Sequence, residues 1–314
     1  MALSLRDKEK QAAERSRKAA EQGDAAAQYN LGRCYARGEG VEKDPDKAAY
    51  WFMKAAEQGE VTAQKTLGVC YYDGNGVEKD NDKSIYWFRK AAEQGNVFAQ
   101  YSLGVLYKSG EKAVYWYRKA AEQGNAPSQK NLGWCYANGE GVEKDQNKAV
   151  YWYTKAAEQG NALAQIYLGR CYVRGEGVEK DQNKAVYWFT KAAEKGNAEA
   201  QYILGVRYAR GEGVEKDLNK AAEWFTKAAE KGYAKAQNYL GMWYSKGEGV
   251  EKDLDKAVYW FTKAAKKGNA DAQLNLGRCY EKCEGVETDQ KKAIYWYRKA
   301  AEKGNEEAQK KIGR

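Results

Sequence analysis

The sequence predicts an all-α fold, a right-handed α/α superhelical solenoid of antiparallel helix pairs. Three observations carry the prediction. The dipeptide Leu-Gly recurs at Leu31, Leu67, Leu103, Leu132, Leu168, Leu204, Leu240 and Leu276, and Ile312 closes the series; each step is 36 residues except one of 29. Within each period apolar side chains fall four apart, the spacing that lines up one face of a helix. Proline occurs twice and glycine 32 times in 314 residues, the composition of short helices punctuated by turns. A chain of this length outgrows a single core, and a fixed internal period marks units that shelter their apolar faces only against neighbours.

The elements follow in order. Residues 1–23 predict an N-terminal capping helix, because the stretch from residue 6 repeats the second-helix pattern with Ala12, Ala13, Ala19 and Ala20 in place of bulky side chains. The first full unit, 24–59, opens with Asp24 as a helix cap. Helix A runs through Ala27, Leu31 and Tyr35, and stops at Gly38, a residue suited to the left-handed conformation that ends helices. A loop, Glu39 to Lys43, leads to Asp44, which caps helix B, with Pro45 at the first helical position where its missing N–H costs nothing. The capping aspartate returns at Asp80, Asp145, Asp181, Asp217, Asp253 and Asp289. Helix B carries Ala48, Trp51, Phe52 and Ala55 on one face and ends at Gly59. In later units the junction is Gly-Asn, as in Gly160-Asn161 and Gly196-Asn197, where one residue ends a helix and the next caps another; so sharp a reversal makes the helices alternate antiparallel.

Seven further units follow at 60–95, 96–124, 125–160, 161–196, 197–232, 233–268 and 269–304, and a partial C-terminal helix occupies 305–314. Two depart from the pattern. The third lacks seven residues between Ser109 and Ala113, so its helices join through Gly110, Glu111 and Lys112, which predicts an irregularity in curvature. In the last, Cys283 replaces the glycine that ends helix A, at a cost of about 1 kcal/mol for a side chain in the left-handed region.

Composition also excludes functions. The net charge of +9 arises from 53 basic and 44 acidic residues interspersed along the chain, so no nucleic-acid partner is expected and the charge reads as solubility. No stretch approaches the length of a membrane span, and the N-terminus turns charged before a signal core can form. The expected compartment is cytoplasmic, or periplasmic or secreted if a signal has been removed. Histidine is absent, which removes the commonest general base and the commonest zinc ligand. The glycine-rich loops follow a helix rather than a strand and lack the Gly-Lys-Ser/Thr ending of a phosphate cradle, so they are turns. Five of the six cysteines (Cys34, Cys70, Cys135, Cys171, Cys279) hold one repeat position and read as small apolar fillers. Cys279 and Cys283, four apart, are the one pair worth testing as a bridge. Eight of the ten tryptophans occupy one column, Trp51 to Trp296, and read as interior. No enzyme activity, cofactor or metal is expected.

The unit from Ala25 to Gly59 resembles the Sel-one-like repeat family, relatives of the tetratricopeptide repeat, whose pattern A-x-A-Q-x-x-L-G-x-x-Y-x-x-G-x-G-V-x-x-D-x-x-K-A-x-x-W-x-x-K-A-A-E-Q-G it matches almost letter for letter. The resemblance extends to the C-terminus. It implies A helices on the concave side, B helices on the convex side, and a protein-interaction scaffold or adaptor, of a family whose members often organise membrane-associated complexes or engage host proteins in bacteria. The secreted cysteine-rich branch of the family pairs cysteines across its two helices, and no matching helix B cysteine exists here.

Residues that helix A turns away from its own core are then the informative ones. Measured from Leu31, positions 29, 33 and 36 lie roughly 140° to 200° round the helical wheel. The columns read Tyr29, Lys65, Tyr101, Lys130, Ile166, Tyr202, Asn238, Leu274 and Arg33, Val69, Val105, Trp134, Arg170, Val206, Met242, Arg278, with Tyr72 and Val173 beside them. Apolar and aromatic residues interleaved with Lys and Arg, on a face that varies while the core columns stay fixed, suit a protein-binding groove. Val105, Trp134, Ile166, Arg170 and Tyr202 stand mid-array. The expected partner of this monomer is a protein or peptide with acidic and apolar side chains. Packing of some of these side chains on the next helix A is the alternative for each, and a carbohydrate or peptidoglycan-fragment binder is the alternative function. Arg207 and Trp243, at the cysteine position of adjacent units, are a candidate cation–π pair.

Overall fold

A computed structural model describes residues 4–313. All the regular structure among them is helical: α1 Leu5–Glu21, α2 Ala25–Arg37, α3 Pro45–Glu57, α4 Val61–Asp73, α5 Asn81–Glu93, α6 Val97–Leu106, α7 Glu111–Glu122, α8 Ala126–Asn138, α9 Gln146–Glu158, α10 Ala162–Arg174, α11 Gln182–Glu194, α12 Ala198–Arg210, α13 Leu218–Glu230, α14 Ala234–Lys246, α15 Leu254–Lys266, α16 Ala270–Lys282, α17 Gln290–Glu302 and α18 Glu306–Ile312. Even-numbered helices are the A helices and odd-numbered ones the B helices. The chain forms two compact units, residues 1–152 and 153–314, divided within α9. In the first unit α2 packs on α3, α4 on α5 and α6 on α7; in the second α10 on α11, α12 on α13, α14 on α15 and α16 on α17. Each B helix within a unit packs in turn on the following A helix, as α3 on α4 or α13 on α14. This is the predicted solenoid of helix pairs.

The caps explain why the helices begin and end where they do. Side chains of Asp24, Asn96, Asn125, Asn161 and Asn197 accept from backbone N–H groups in the first turns of A helices, and Asp44, Asp80, Asp181, Asp217, Asp253 and Asp289 do so for B helices. Asp145 accepts from the Lys148 N–H at 2.9 Å. The backbone N–H donated to each helix B aspartate holds its carboxyl below the usual range, with the lysine three residues on adding to the effect. Six A helices close on glycines in the left-handed region, and α16 closes on Cys283 at φ 61°, ψ 39°.

The core is thin and repetitive. The eight repeat leucines are at most 1% exposed, and they meet the paired alanines of helix B, such as Ala55 and Ala56. The glycine after each leucine admits an aromatic ring: a Cβ on Gly32 would stand 2.7 Å from the Phe52 ring. Four of the five column cysteines are buried and Cys34 is half-buried, as apolar fillers should be. Burial pushes the thiols of Cys70, Cys135, Cys171 and Cys279 up to about 11. Cys279 and Cys283 are both free, so the candidate bridge is not formed.

The tryptophan column is a correction. These rings are half-buried rather than interior, and all but Trp224, which follows Glu223, lean edge-on against the tyrosine before them, as in Tyr50–Trp51 at 5.2 Å and Tyr295–Trp296 at 5.0 Å. Those tyrosines are exposed on the outer side of helix B, with lysines four residues on lying over rings such as Tyr50, Tyr86 and Tyr259.

In the first and second hairpins the loop ties back to the helix before the hairpin. A Cβ on Gly40 would fall 2.2 Å from the Glu9 carbonyl oxygen of α1, and one on Gly76 would fall 2.0 Å from that of Pro45 in α3. The third hairpin has no such loop. Its α6 has 10 residues where α2, α4 and α8 have 13, Lys108 takes φ 62°, and Gly110 starts α7 without a side-chain cap.

A glutamine ladder distinguishes the two units. One glutamine in each A helix (Gln28, Gln64, Gln100, Gln129, Gln165, Gln201, Gln237, Gln273) is buried, and its amide donates to an alanine carbonyl eight residues earlier, as Gln64 does to Ala56 at 3.1 Å. In the first unit a second glutamine at the end of helix B donates to its side-chain oxygen: Gln58 to Gln28, Gln94 to Gln64 and Gln123 to Gln100, each at 2.8 Å. In the second unit the corresponding residues are Lys195, Lys231, Lys267 and Lys303. There the Oε1 atoms of Gln165, Gln201, Gln237 and Gln273 are buried with no donor, while Lys195 and Lys267 donate instead to the Gly160 and Gly232 carbonyls.

Candidate functional site

In the first unit the A helices α2, α4, α6 and α8 each carry residues that face away from helix B. Because α6 lacks its final turn, the end of α4 is left without a neighbour to cover it. A cavity of about 280 Å³ opens there, lined by Val69, Tyr72, Asp73, Phe88, Phe98, Tyr101, Ser102, Val105 and Leu106. Tyr72 (44%), Phe98 (50%) and Val105 (41%) are exposed, whereas Phe88 forms a buried floor. Val69 and Tyr101 are half-buried walls, with the Tyr101 ring 6.4 Å from that of Tyr117. Wheel geometry thus identified four of the lining residues, Val69, Tyr72, Tyr101 and Val105.

Cations stand on the A helices of this unit, Lys65 on α4, Lys130 on α8 and Arg33 on α2. Lys65 lies with its ammonium 5.8 Å from the centre of the Phe98 ring. Lys130, on α8, is half-buried, hydrogen-bonds to Asn131 and has its pKa lowered because burial disfavours the ammonium. Arg33 on α2 is half-buried. None of these three has an ion-pair partner among the described residues. Trp134 stands exposed at 42%, four residues from Lys130 on α8. Tyr29 is half-buried against the Phe52 ring at 5.6 Å.

The second unit spends the same columns differently. Ile166 is 1% exposed in the cluster with Val186 and Phe189, so it is core and not a groove residue. Asn238 and Leu274, in its column, are buried too. The physical reason is reach: tyrosine and lysine carry a polar tip outward past the neighbouring helix, and shorter side chains stop between the helices. Tyr202 is half-buried in an aromatic cluster, with Phe225, Tyr233 and Tyr239 rings 5.9, 5.3 and 5.5 Å away, and burial pushes its phenol pKa up. Val206 is half-buried beside this cluster. Arg170 is ion-paired with Glu199 at 2.6 Å, and Arg278 with Glu307. Met242 and Arg278 share a second cavity of about 430 Å³ with Glu281 and Lys311, which pair with each other at 2.7 Å. Arg207 and Trp243 take separate partners: the guanidinium lies 5.8 Å from the Phe189 ring and pairs with Glu212, while Trp243 is buried edge-on to Phe225 at 5.1 Å.

Phe98 and Leu163, both exposed, were missed by the wheel reading. They belong to the column of Ala26, which sits about 220° from Leu31 and so just outside the 140° to 200° window. The window was drawn too narrow on one side. Among the described residues no three or more Cys, Asp and Glu stand together as a metal site would require, and no helix is long and apolar enough to cross a membrane.

Comparisons with known proteins agree with this architecture. A family model described as Sel1 repeat matches residues 25–60, 61–96, 97–125, 126–161, 162–197, 198–233, 234–269 and 270–305. A protective antigen of uropathogenic Escherichia coli that displays an SLR fold is similar at 39% identity and a TM-score of 0.85 over 96% of this chain. This chain spans 66% of that protein's length. A Sel1 repeat protein from Oxalobacter formigenes is similar at 36% identity and a TM-score of 0.82, covering 96% of this chain and 90% of its own. A search of curated proteins found no match. The repeated hairpins, their fixed leucine and alanine columns, and eight consecutive matches to one family model lead to the same assignment: the chain belongs to the Sel1 repeat family.

Proposed function

We propose that this protein is a non-catalytic scaffold that binds a partner protein or peptide across the face its A helices turn away from the B helices, and that the partner presents apolar and acidic side chains. The observation that carries the reading is the apolar cavity between α4 and α6, open to solvent, with Lys65 over its Phe98 wall and Lys130 on the next A helix, neither of which forms an ion pair among the described residues. Exposed aromatic and aliphatic surface framed by cations is what an interaction site offers to a complementary chain. The lining favours protein over sugar: Ser102 and Asp73 are its only polar side chains apart from the tyrosine hydroxyls, too few for the hydrogen-bond network that fixes a carbohydrate.

A photo-crosslinking amino acid placed at position 105, on this face, or at position 86, on the outer side of α5, tests the reading in an extract of the source cells. A protein adduct specific to position 105 supports it. The same adducts from both positions, or adducts from position 86 alone, refute it.

A further inference from the structure

The cavity between α4 and α6 is small. At about 280 Å³ it falls below the roughly 300–1,000 Å³ of sites that enclose whole small ligands, and it is the right scale for one large side chain. Its depth comes from the missing last turn of α6, so the shortened repeat itself builds it. Lys130 belongs to α8, the next A helix along. Adjacent packed helices lie about 8–10 Å apart, and an extended chain advances about 3.3 Å per residue. A strand crossing these helices therefore covers the step from one A helix to the next in about three residues.

Resting on the protein-binding reading above, we propose that the first unit binds an extended acidic peptide segment, seating one large apolar side chain between Val69, Phe98 and Val105 and placing a carboxylate about three residues away against Lys130. Charge complementarity selects this occupant. Lys65 and Lys130 form no ion pair among the described residues, although Asp73 lines the same cavity, whereas Arg170 and Arg278, in the second unit, are neutralised by Glu199 and Glu307. Lys130 is the stronger discriminator because it is half-buried: its ammonium has lost part of its water, and a carboxylate restores the compensation. Lys65 is held over the Phe98 ring and closes the cavity edge against a basic guest. Fixed spacing between an apolar anchor and an acid would be read by the A-helix stack as a ruler.

Fluorescein-labelled synthetic peptides test this directly, with one phenylalanine in a glycine-serine background and one glutamate walked away from it residue by residue. Fluorescence anisotropy with the full chain is expected to show tightest binding with the glutamate about three residues from the phenylalanine on one side, weakening as salt rises. Val105→Asp, at an exposed position, is expected to weaken binding about tenfold or more. Lys130→Glu is expected to flatten the dependence on glutamate position while the dependence on phenylalanine remains. Affinity that ignores the glutamate position, or that survives Val105→Asp, overturns the proposal. If no peptide of the walk binds while position 105 still crosslinks to a protein, this anchor-and-acid arrangement is wrong and the broader reading stands. If the crosslink also fails, both fall.

Discussion

Replacing Lys267 with glutamine should stabilise the second unit, although it removes a hydrogen bond. In the first unit Gln94 donates both to Gln64 Oε1 at 2.8 Å and to the Gly59 carbonyl at 3.2 Å. Lys267 occupies the corresponding place after α15 in the second unit, yet it reaches only the Gly232 carbonyl, at 2.7 Å, and leaves Gln237 Oε1 buried without a donor. A buried acceptor with no partner costs about 1–3 kcal/mol, and an ordinary hydrogen bond contributes about 0.5–1.5 kcal/mol net. A glutamine that recovers both bonds, less the entropy of fixing it, should raise stability by about 1 kcal/mol. With a urea slope of roughly 2 kcal/mol per molar, the midpoint should rise by about 0.5 M. The assay is urea unfolding of the full chain followed by circular dichroism. Lys267→Met is the control, because it gives up the lysine bond and supplies no donor. If Lys267→Gln is no more stable than Lys267→Met, the argument from the orphaned acceptor fails. The reverse change, Gln94→Lys, should lower stability by a similar amount, about 1 kcal/mol.

Other outcomes follow from single residues. Ser128 is fully buried where most repeats carry alanine, and its hydroxyl has no partner, so Ser128→Ala should raise the unfolding midpoint by the equivalent of about 1 kcal/mol; a loss of stability would show that the hydroxyl is satisfied. Cys283→Gly should stabilise by about 1 kcal/mol in the same assay, since glycine takes φ 61° without strain; an unchanged midpoint would contradict this. Iodoacetamide at neutral pH should modify exposed Cys283 well before Cys70, Cys135, Cys171 and Cys279, whose thiols are buried and pushed up to about 11, and mass spectrometry of early time points would reveal any other order. The helix B aspartates have folded-state pKa values below their unfolded ones, so their contribution is complete above about pH 4 and is lost as pH falls through the folded values. Helicity on acid titration should therefore fall below about pH 4, and Asp145→Asn should reduce the acid dependence; an identical titration curve would discount the caps.

How much of this was legible in the sequence depends on depth within the repeat. Leucine and alanine columns announce themselves because every hairpin must place the same side chain at the same buried point, and the aspartate and asparagine caps recur for the same reason. Side-chain reach is not written in the period. Ile166 shares a column with Tyr29 and Lys130, and only its lack of a long polar tip keeps it in the core. The tryptophans look equally interior by spacing, yet each rests half in solvent, all but Trp224 against a tyrosine. The cavity between α4 and α6 was visible as a seven-residue deletion, but that the missing turn uncovers Tyr72 and Val105 needed the packing of the two helices. The glutamine–lysine difference sits in plain letters, Gln58, Gln94 and Gln123 against Lys195, Lys231, Lys267 and Lys303, and acquires meaning only once the buried acceptor upstream is seen.

The absent loop of the third hairpin has a consequence for how the molecule comes apart. Repeat proteins hold together through neighbour-to-neighbour coupling, and at Gly40 and Gly76 a loop presses on the helix before it. Between the second and third hairpins that clasp is missing, so coupling there should be weakened by its loss and fraying should halt or begin at that seam. The same seam bears the cavity between α4 and α6, and a guest lodged in it would touch both sides of the joint. Such a guest would act as a splint, and its affinity would be read out as lost mobility in hydrogen exchange at α4 and α6 before any change registers elsewhere in the first unit.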